Sequence, residues 1–205
     1  MSTTPLSSSL LNWFDQHGRK HLPWQQQRNP YRVWIAEIML QQTQVATVIP
    51  YYERFLQRFP DVFALSAADL DSVLHQWTGL GYYARARNMH KTAGIISAQF
   101  KGEFPHTVDE LSELPGIGRS TAGAILTLGS GKRAVILDGN VKRVLTRLHC
   151  VEGWPDLPKV QKVLWQLAET LTPQERCADY TQAIMDLGAT LCSRTRPACG
   201  LCPLI

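Results

Sequence analysis

No stretch of the 205 residues approaches the roughly eighteen consecutive apolar residues that a bilayer-spanning helix needs, so no membrane partner is expected. Met1 to Leu11 is rich in serine and threonine and lacks both a basic cluster and a long apolar core, so it does not read as a secretory signal. The expected location is the cytoplasm. Alternation of strand type is missing, as are internal repeats, low-complexity tracts and any polar linker long enough to part independent domains. An all-α fold of about ten helices is therefore expected. Charge of one sign is not in great excess: the formal net charge is +4, which suits a polyanionic partner without demanding one. Cysteines are few, five in all, and an odd number without a secretory signal argues against a disulfide framework.

What is present reads mostly as helix. Hydrophobic residues make up 44%, enough for a sizeable core. Leu10, Leu11 and Phe14 lie at helical spacing in a segment ending near Gly18, and Arg19 to Trp24 reads as a loop. Pro30 suits a helix's first turn and opens an almost wholly apolar segment. Further helices are expected from Pro50 to Phe59, from a capping box Ser66–Asp69 to Trp77, from Ala84 to Phe100, after a second capping box Thr107–Glu110, from Pro158 to Leu171, and from Asp179 to Leu191. Val160, Val163, Leu164 and Leu167 are expected on the buried side of the Pro158 helix. Arg85, Arg87 and Lys91 form either a solvated basic face or a set of phosphate contacts. Gly79-Leu80-Gly81 is a tight turn presenting Tyr82 and Tyr83.

Four places carry chemistry. Glu37 is the only charged residue between Val33 and Tyr52. A carboxylate in such company is either ion-paired or keeps its proton, which makes it a structural salt bridge or a general acid poised near neutral pH. Leu114-Pro115-Gly116-Ile117-Gly118 leads into an apolar helical run. Gly-x-Gly before a helix is a plain turn or a phosphate grip, since glycine lets a ligand reach main-chain N–H groups at a helix start. Asp138-Gly139-Asn140 opens another helix, where Asp138 is either a cap or a working carboxylate. Cys192, Cys199 and Cys202 have the spacing Cys-x6-Cys-x2-Cys, which suits zinc or an iron–sulfur cluster, although both take four ligands. Cys177 could supply the fourth only across an intervening helix, and Cys150 reads as a core cysteine. Arg194 and Arg196 lie in the loop between the first two cysteines, solvated or on a phosphate.

Leu22-Pro23-Trp24, Glu37 to Thr43, Gly79 to Arg85, Leu114 to Ala124, Leu137 to Val144, Met185 to Ala189 and the cysteine cluster occur in one order. Together they resemble the N-terminal catalytic part of the adenine DNA glycosylases, in the helix-hairpin-helix, endonuclease III-like superfamily. The resemblance implies two helical lobes with a DNA-binding groove between them, residues 25–130 forming a six-helix lobe and 1–24 with 131–205 the second, cysteine-bearing lobe. It implies a monomer, cytoplasmic and nucleoid-associated, that acts on double-stranded DNA and hydrolyses adenine from mispairs with 8-oxoguanine or guanine. Glu37 would protonate adenine at N7, and Asp138, ionised, would face the sugar cation. Gln41, Gln42 and Tyr82 would probe the opposite base. Trp24 and Asn140 would lie by the adenine pocket, and Gly116, Gly118 and Ser120 on the DNA backbone.

The resemblance also implies a four-iron four-sulfur cluster on Cys192, Cys199 and Cys202, with a fourth cysteine that would fall three residues past Ile205. It implies a further Nudix-type domain in relatives, without which discrimination of 8-oxoguanine from guanine should weaken. Ser120 stands where strand-nicking relatives carry a Schiff-base lysine, so a monofunctional glycosylase is expected. The alternatives are an endonuclease III-like glycosylase with lyase activity and a non-enzymatic helix-hairpin-helix module, which has no use for Glu37.

Overall fold

The computed structural model describes residues 4–205, and all regular structure among them is helical. The chain forms two compact units. One is His21–Ser130; the other combines the N-terminal segment up to Lys20 with Gly131–Ile205.

The His21–Ser130 unit begins with a one-turn helix, α2 (Pro23–Gln26), where a loop was expected; α1 (Pro5–His17) belongs to the other unit. Pro23 supplies the preset φ that a first turn favours. In α3 (Pro30–Leu40) the Asn29 side chain accepts the Arg32 N–H at 2.8 Å, and seven of the helix's eleven residues are buried. In α4 (Val45–Arg58) the start lies five residues before the expected Pro50, which sits inside the helix. Pro50 removes one backbone bond, and burial of Val48, Tyr52 and Phe55 along one stripe offsets it. Next come α5 (Val62–Ala67) and α6 (Leu70–Trp77). The expected Ser66 cap is incorrect: Ser66 lies within α5, and Asp69 caps α6, accepting the Ser72 N–H at 2.7 Å. After α7 (Ala84–Gln99), Thr107 caps α8 (Val108–Ser112) in a true capping box, donating to Glu110 and accepting its N–H. Helix α9 (Arg119–Ala124) widens into a π turn over Ile125–Gly129 where Gly129 meets Pro30; a Cβ there would lie 2.7 Å from the Pro30 Cα.

In the second unit α1 lays Leu10, Leu11 and Phe14 against α12 (Cys177–Thr190), which also packs on α10 (Gly139–Leu148). Helix α11 (Pro158–Leu171) has the expected bounds, but its buried stripe is Val160, Leu164, Ala168 and Leu171; Val163 is 39% exposed. Asp186, fully buried on α12, accepts from the Arg19 backbone N–H (2.8 Å), the Arg19 guanidinium (2.8 and 2.9 Å) and Gln182 (2.9 Å). A buried carboxylate needs such a set, because leaving it unpaired costs several kcal/mol, on the order of 3–5.

Candidate active site

Glu37 lies in the last turn of α3, half-buried between buried Ala36 and Ile38, one turn before Gln41 on the same helix face. Gln41 ends the helix. Gln42, exposed, has a left-handed backbone at φ 56. On the neighbouring turn Tyr82 is also left-handed, at φ 47, and 66% exposed. Gly79 at φ 105 makes that turn possible, and a Cβ there would strike the Tyr51 hydroxyl at 1.9 Å. Arg85 reaches between the two turns. It was expected on a basic surface, and it is instead an internal clamp whose guanidinium donates to backbone carbonyls of both turns. Arg87 and Lys91 are exposed, as a solvated basic face requires.

The Leu114–Gly118 loop is pinned from beneath. Leu114 and Ile117 are buried, and Thr92 donates to the Pro115 carbonyl at 2.8 Å. Gly116 has φ 80 and presses on Asn88, where a Cβ would lie 2.9 Å from the Asn88 Cβ. Gly118 caps α9 with open space beside it, so its main chain is accessible. Ser120 is half-buried in the first turn. Trp34, Ile38, Gln41, Arg85, Asn88 and Gly116 are among the residues lining a cavity of about 110 Å³. Trp24 is a core residue, 7% exposed, edge-on to Tyr52 with ring centroids 5.5 Å apart. A larger depression of about 640 Å³ between Pro30, Phe63 and Phe104 touches none of the expected site residues.

In the other unit Asp138 caps α10. One carboxylate oxygen accepts the Val141 N–H at 2.7 Å and the other the Asn140 amide at 3.1 Å. Arg143 donates to Asn140 Oδ1 (2.8 Å) and to the backbone carbonyls of Gly188 (2.6 Å) and Cys192 (2.7 Å), fixing which way the amide points. Gly188 lets α12 approach so closely that a Cβ would lie 2.6 Å from that of Asn140. Burial pushes the Asp138 carboxyl above its ordinary range, against the downward pull of Val141, Asn140 and Arg143. The polar helix start alone suggested a readily ionised group; desolvation outweighs it.

The cysteines do not fit a closed metal site as they stand. Among the described residues, no group of three or more His, Cys, Asp or Glu side chains is placed to hold a metal ion. Cys199 is exposed, and Arg147 donates to the Cys192 sulfur at 3.4 Å. Cys177 starts α12 while Cys192 follows its end, roughly 20 Å away at 1.5 Å per residue, which rules Cys177 out as a fourth ligand. Cys150, expected in the core, is exposed. Arg194 and Arg196 are exposed too.

Sequence reasoning missed Arg85 as a clamp and Arg143 as the support of Asn140. A signal for the first existed: a cation in the first turn of a helix opposes the helix dipole, so its charge had to be engaged elsewhere.

Residues 35–170 match the family model described as HhH-GPD superfamily base excision DNA repair protein. The chain is 50% identical over 204 residues to an adenine DNA glycosylase of Buchnera aphidicola subsp. Baizongia pistaciae, with all of this chain and 58% of the relative covered. It is 42% identical over 210 residues to the human adenine DNA glycosylase, covering 98% of this chain and 38% of the relative. The chain thus spans about three fifths or less of these relatives' length. Among solved structures it is similar to a thermostable thymine-DNA glycosylase (TM-score 0.87, 28% identity, 97% of this chain and 91% of that one). It is also similar to endonuclease III in a non-covalent DNA complex (TM-score 0.80, 27% identity, 97% and 89% covered).

Proposed function

We propose, from the premise that this chain belongs to the HhH-GPD superfamily of base excision DNA repair proteins, that it hydrolyses the N-glycosidic bond of adenine mispaired with 8-oxoguanine or guanine. It acts as a monomer on duplex DNA in the cytoplasm and forms no covalent imine, because Ser120 has no amine to make one.

The observation that carries this reading is Glu37, the only charged residue between Val33 and Tyr52, half-buried near the end of α3 between buried Ala36 and Ile38. Its proton goes to N7 of an adenine everted from the stack, which makes the base a better leaving group. The C1′–N9 bond breaks with its electron pair on the base. Ionised Asp138 stabilises the oxocarbenium-like sugar, water adds at C1′ and gives up a proton that restores the Glu37 carboxyl, and free adenine and an abasic site result. Asn140 holds the Asp138 carboxylate from the side, and Arg143 holds Asn140. Main-chain N–H groups at Gly116 and Gly118 take a DNA phosphate, which fixes register without reading sequence. A cluster on Cys192, Cys199 and Cys202 would need a fourth ligand that these residues do not supply.

Glu37→Gln tests the reading. Loss of the general acid lowers the single-turnover rate on an A:8-oxoguanine duplex by about 10² to 10⁴-fold, with DNA affinity retained. An unchanged rate would reduce Glu37 to a structural role, whereas no adenine release by the unaltered chain would leave the non-enzymatic DNA-binding module as the better reading.

A further inference from the structure

Gln42 and Tyr82 share a feature that elsewhere falls mainly to glycine: both have positive φ. A left-handed non-glycine residue costs on the order of 1–3 kcal/mol and persists only where its surroundings over-determine it. One side chain does this for both. On the Gln42 side, Arg85 Nη1 donates to the carbonyls of Ile38 (2.8 Å), Met39 (3.0 Å) and Gln41 (2.7 Å), and Nη2 reaches the Thr43 hydroxyl at 3.4 Å. These include the residues directly before and after Gln42. On the Tyr82 side, Nη2 donates to the carbonyls of Leu80 (3.1 Å) and Gly81 (3.3 Å), the two residues before Tyr82. The Arg85 backbone N–H bonds the Tyr82 carbonyl at 3.0 Å, and the guanidinium lies 5.7 Å from the Tyr82 ring centroid. Trp77 closes the turn from below, donating to the Gly81 carbonyl at 3.0 Å, with the guanidinium 5.2 Å from its ring centroid.

Both terminal nitrogens of Arg85 are thus engaged within the His21–Ser130 unit, which removes the guanidinium from the set of phosphate contacts. We propose that Arg85 is a positioning residue for mispair selectivity: it locks the Gln42 and Tyr82 turns, before DNA arrives, into the shape that meets the base opposite adenine. This rests on the glycosylase reading above. A planar fork of donors serves two sets of carbonyls at once. A lysine ammonium, a single point of charge, serves one.

The test is Arg85→Lys in the full chain, by single-turnover kinetics on A:8-oxoguanine and A:G duplexes. Melting curves set an assay temperature at which both proteins are folded. The A:8-oxoguanine rate should fall about tenfold, the equivalent of one relaxed left-handed turn. The A:G rate should fall less, because guanine offers fewer contacts to misplace, so the ratio of the two rates drops. Affinity for an undamaged duplex should stay unchanged, a separation that general loss of structure does not produce. Should Arg85→Lys fail to fold, Thr43→Val and Gly81→Ala replace it, each disturbing one end of the clamp with the guanidinium in place. Gly81 has φ 69 and open space around it, so alanine there strains the turn without a clash. A lowered rate ratio in either supports the inference, and the unaltered ratio in both overturns it. An unaltered chain inactive on both duplexes would refute the glycosylase reading and this inference with it. An active chain whose Arg85→Lys variant keeps the unaltered ratio would refute the inference alone.

Discussion

Replacing Arg19 with methionine isolates the cost of a buried charge in the unit that carries Asp138. Methionine keeps an unbranched apolar stem and the backbone N–H that already serves Asp186. What goes is the guanidinium, with contacts of 2.9 and 2.8 Å to one carboxylate oxygen. Asp186 is fully buried, so its charge gains nothing from water in return, and breaking such a pair costs roughly 3–5 kcal/mol. The Arg19 side chain is 23% exposed and Gln182 still donates, which places the cost at the lower end, about 3 kcal/mol. At about 2–4 °C per kcal/mol for a chain of this size, Tm falls by roughly 6–12 °C in a melt followed by circular dichroism at pH 7. Removing both charges, as in Arg19→Met with Asp186→Asn, should restore part of the lost stability, because no uncompensated ion is left and the amide oxygen still accepts a hydrogen bond from the donors around it. A loss below about 1 kcal/mol for the single variant, or a double variant as unstable as the single one, would show that the pair does not govern the docking of α1 on α12.

Four further outcomes follow from the site. Burial raises the Asp138 carboxyl, so activity that needs its ionised form should fail on acidification above the ordinary aspartate value of about 3.9, and Asn140→Ala, which removes a bond favouring the ion, should move that limb to higher pH. The same raised value contributes stability that is whole below the unfolded-state value and is lost as pH rises through the folded one, so the Tm difference between Asp138→Asn and the unaltered chain should grow in the variant's favour with pH across that window. Gly188→Ala should cost about 1–3 kcal/mol by forcing α12 from Asn140, and should lower the glycosylase rate, since Asn140 steers the Asp138 carboxylate. Borohydride should trap no covalent protein–DNA adduct; a robust adduct would favour the lyase alternative and assign the imine to an amine other than position 120.

Local chemistry was legible in the sequence, and distant partners were not. Thr107 and Asp138 were readable as helix starts because a cap's partner lies two or three residues away. Asp69 was missed in favour of Ser66 because both fit a cap, and the contest was settled by α5 continuing through Ser66. Pro50 misled because tertiary burial of Tyr52 and Phe55 outweighs its lost bond. Glu37 stood out by contrast with its neighbours. Arg85 did not, since its acceptors lie up to 47 residues back in the chain. The cysteine spacing named a metal class but carried no information on whether three thiols alone would gather.

The bond between Arg19 and Asp186 joins residues 167 positions apart. During synthesis, the ribosome must therefore deliver α12 before α1 has anything to dock on, whereas every helix of the His21–Ser130 unit is already available. Until then Leu10, Leu11 and Phe14 are an uncovered sticky surface on the nascent chain. A stalled or proteolysed product ending before residue 177 would present that surface to chaperones, and long-range closure of this kind sets a slow last step in maturation.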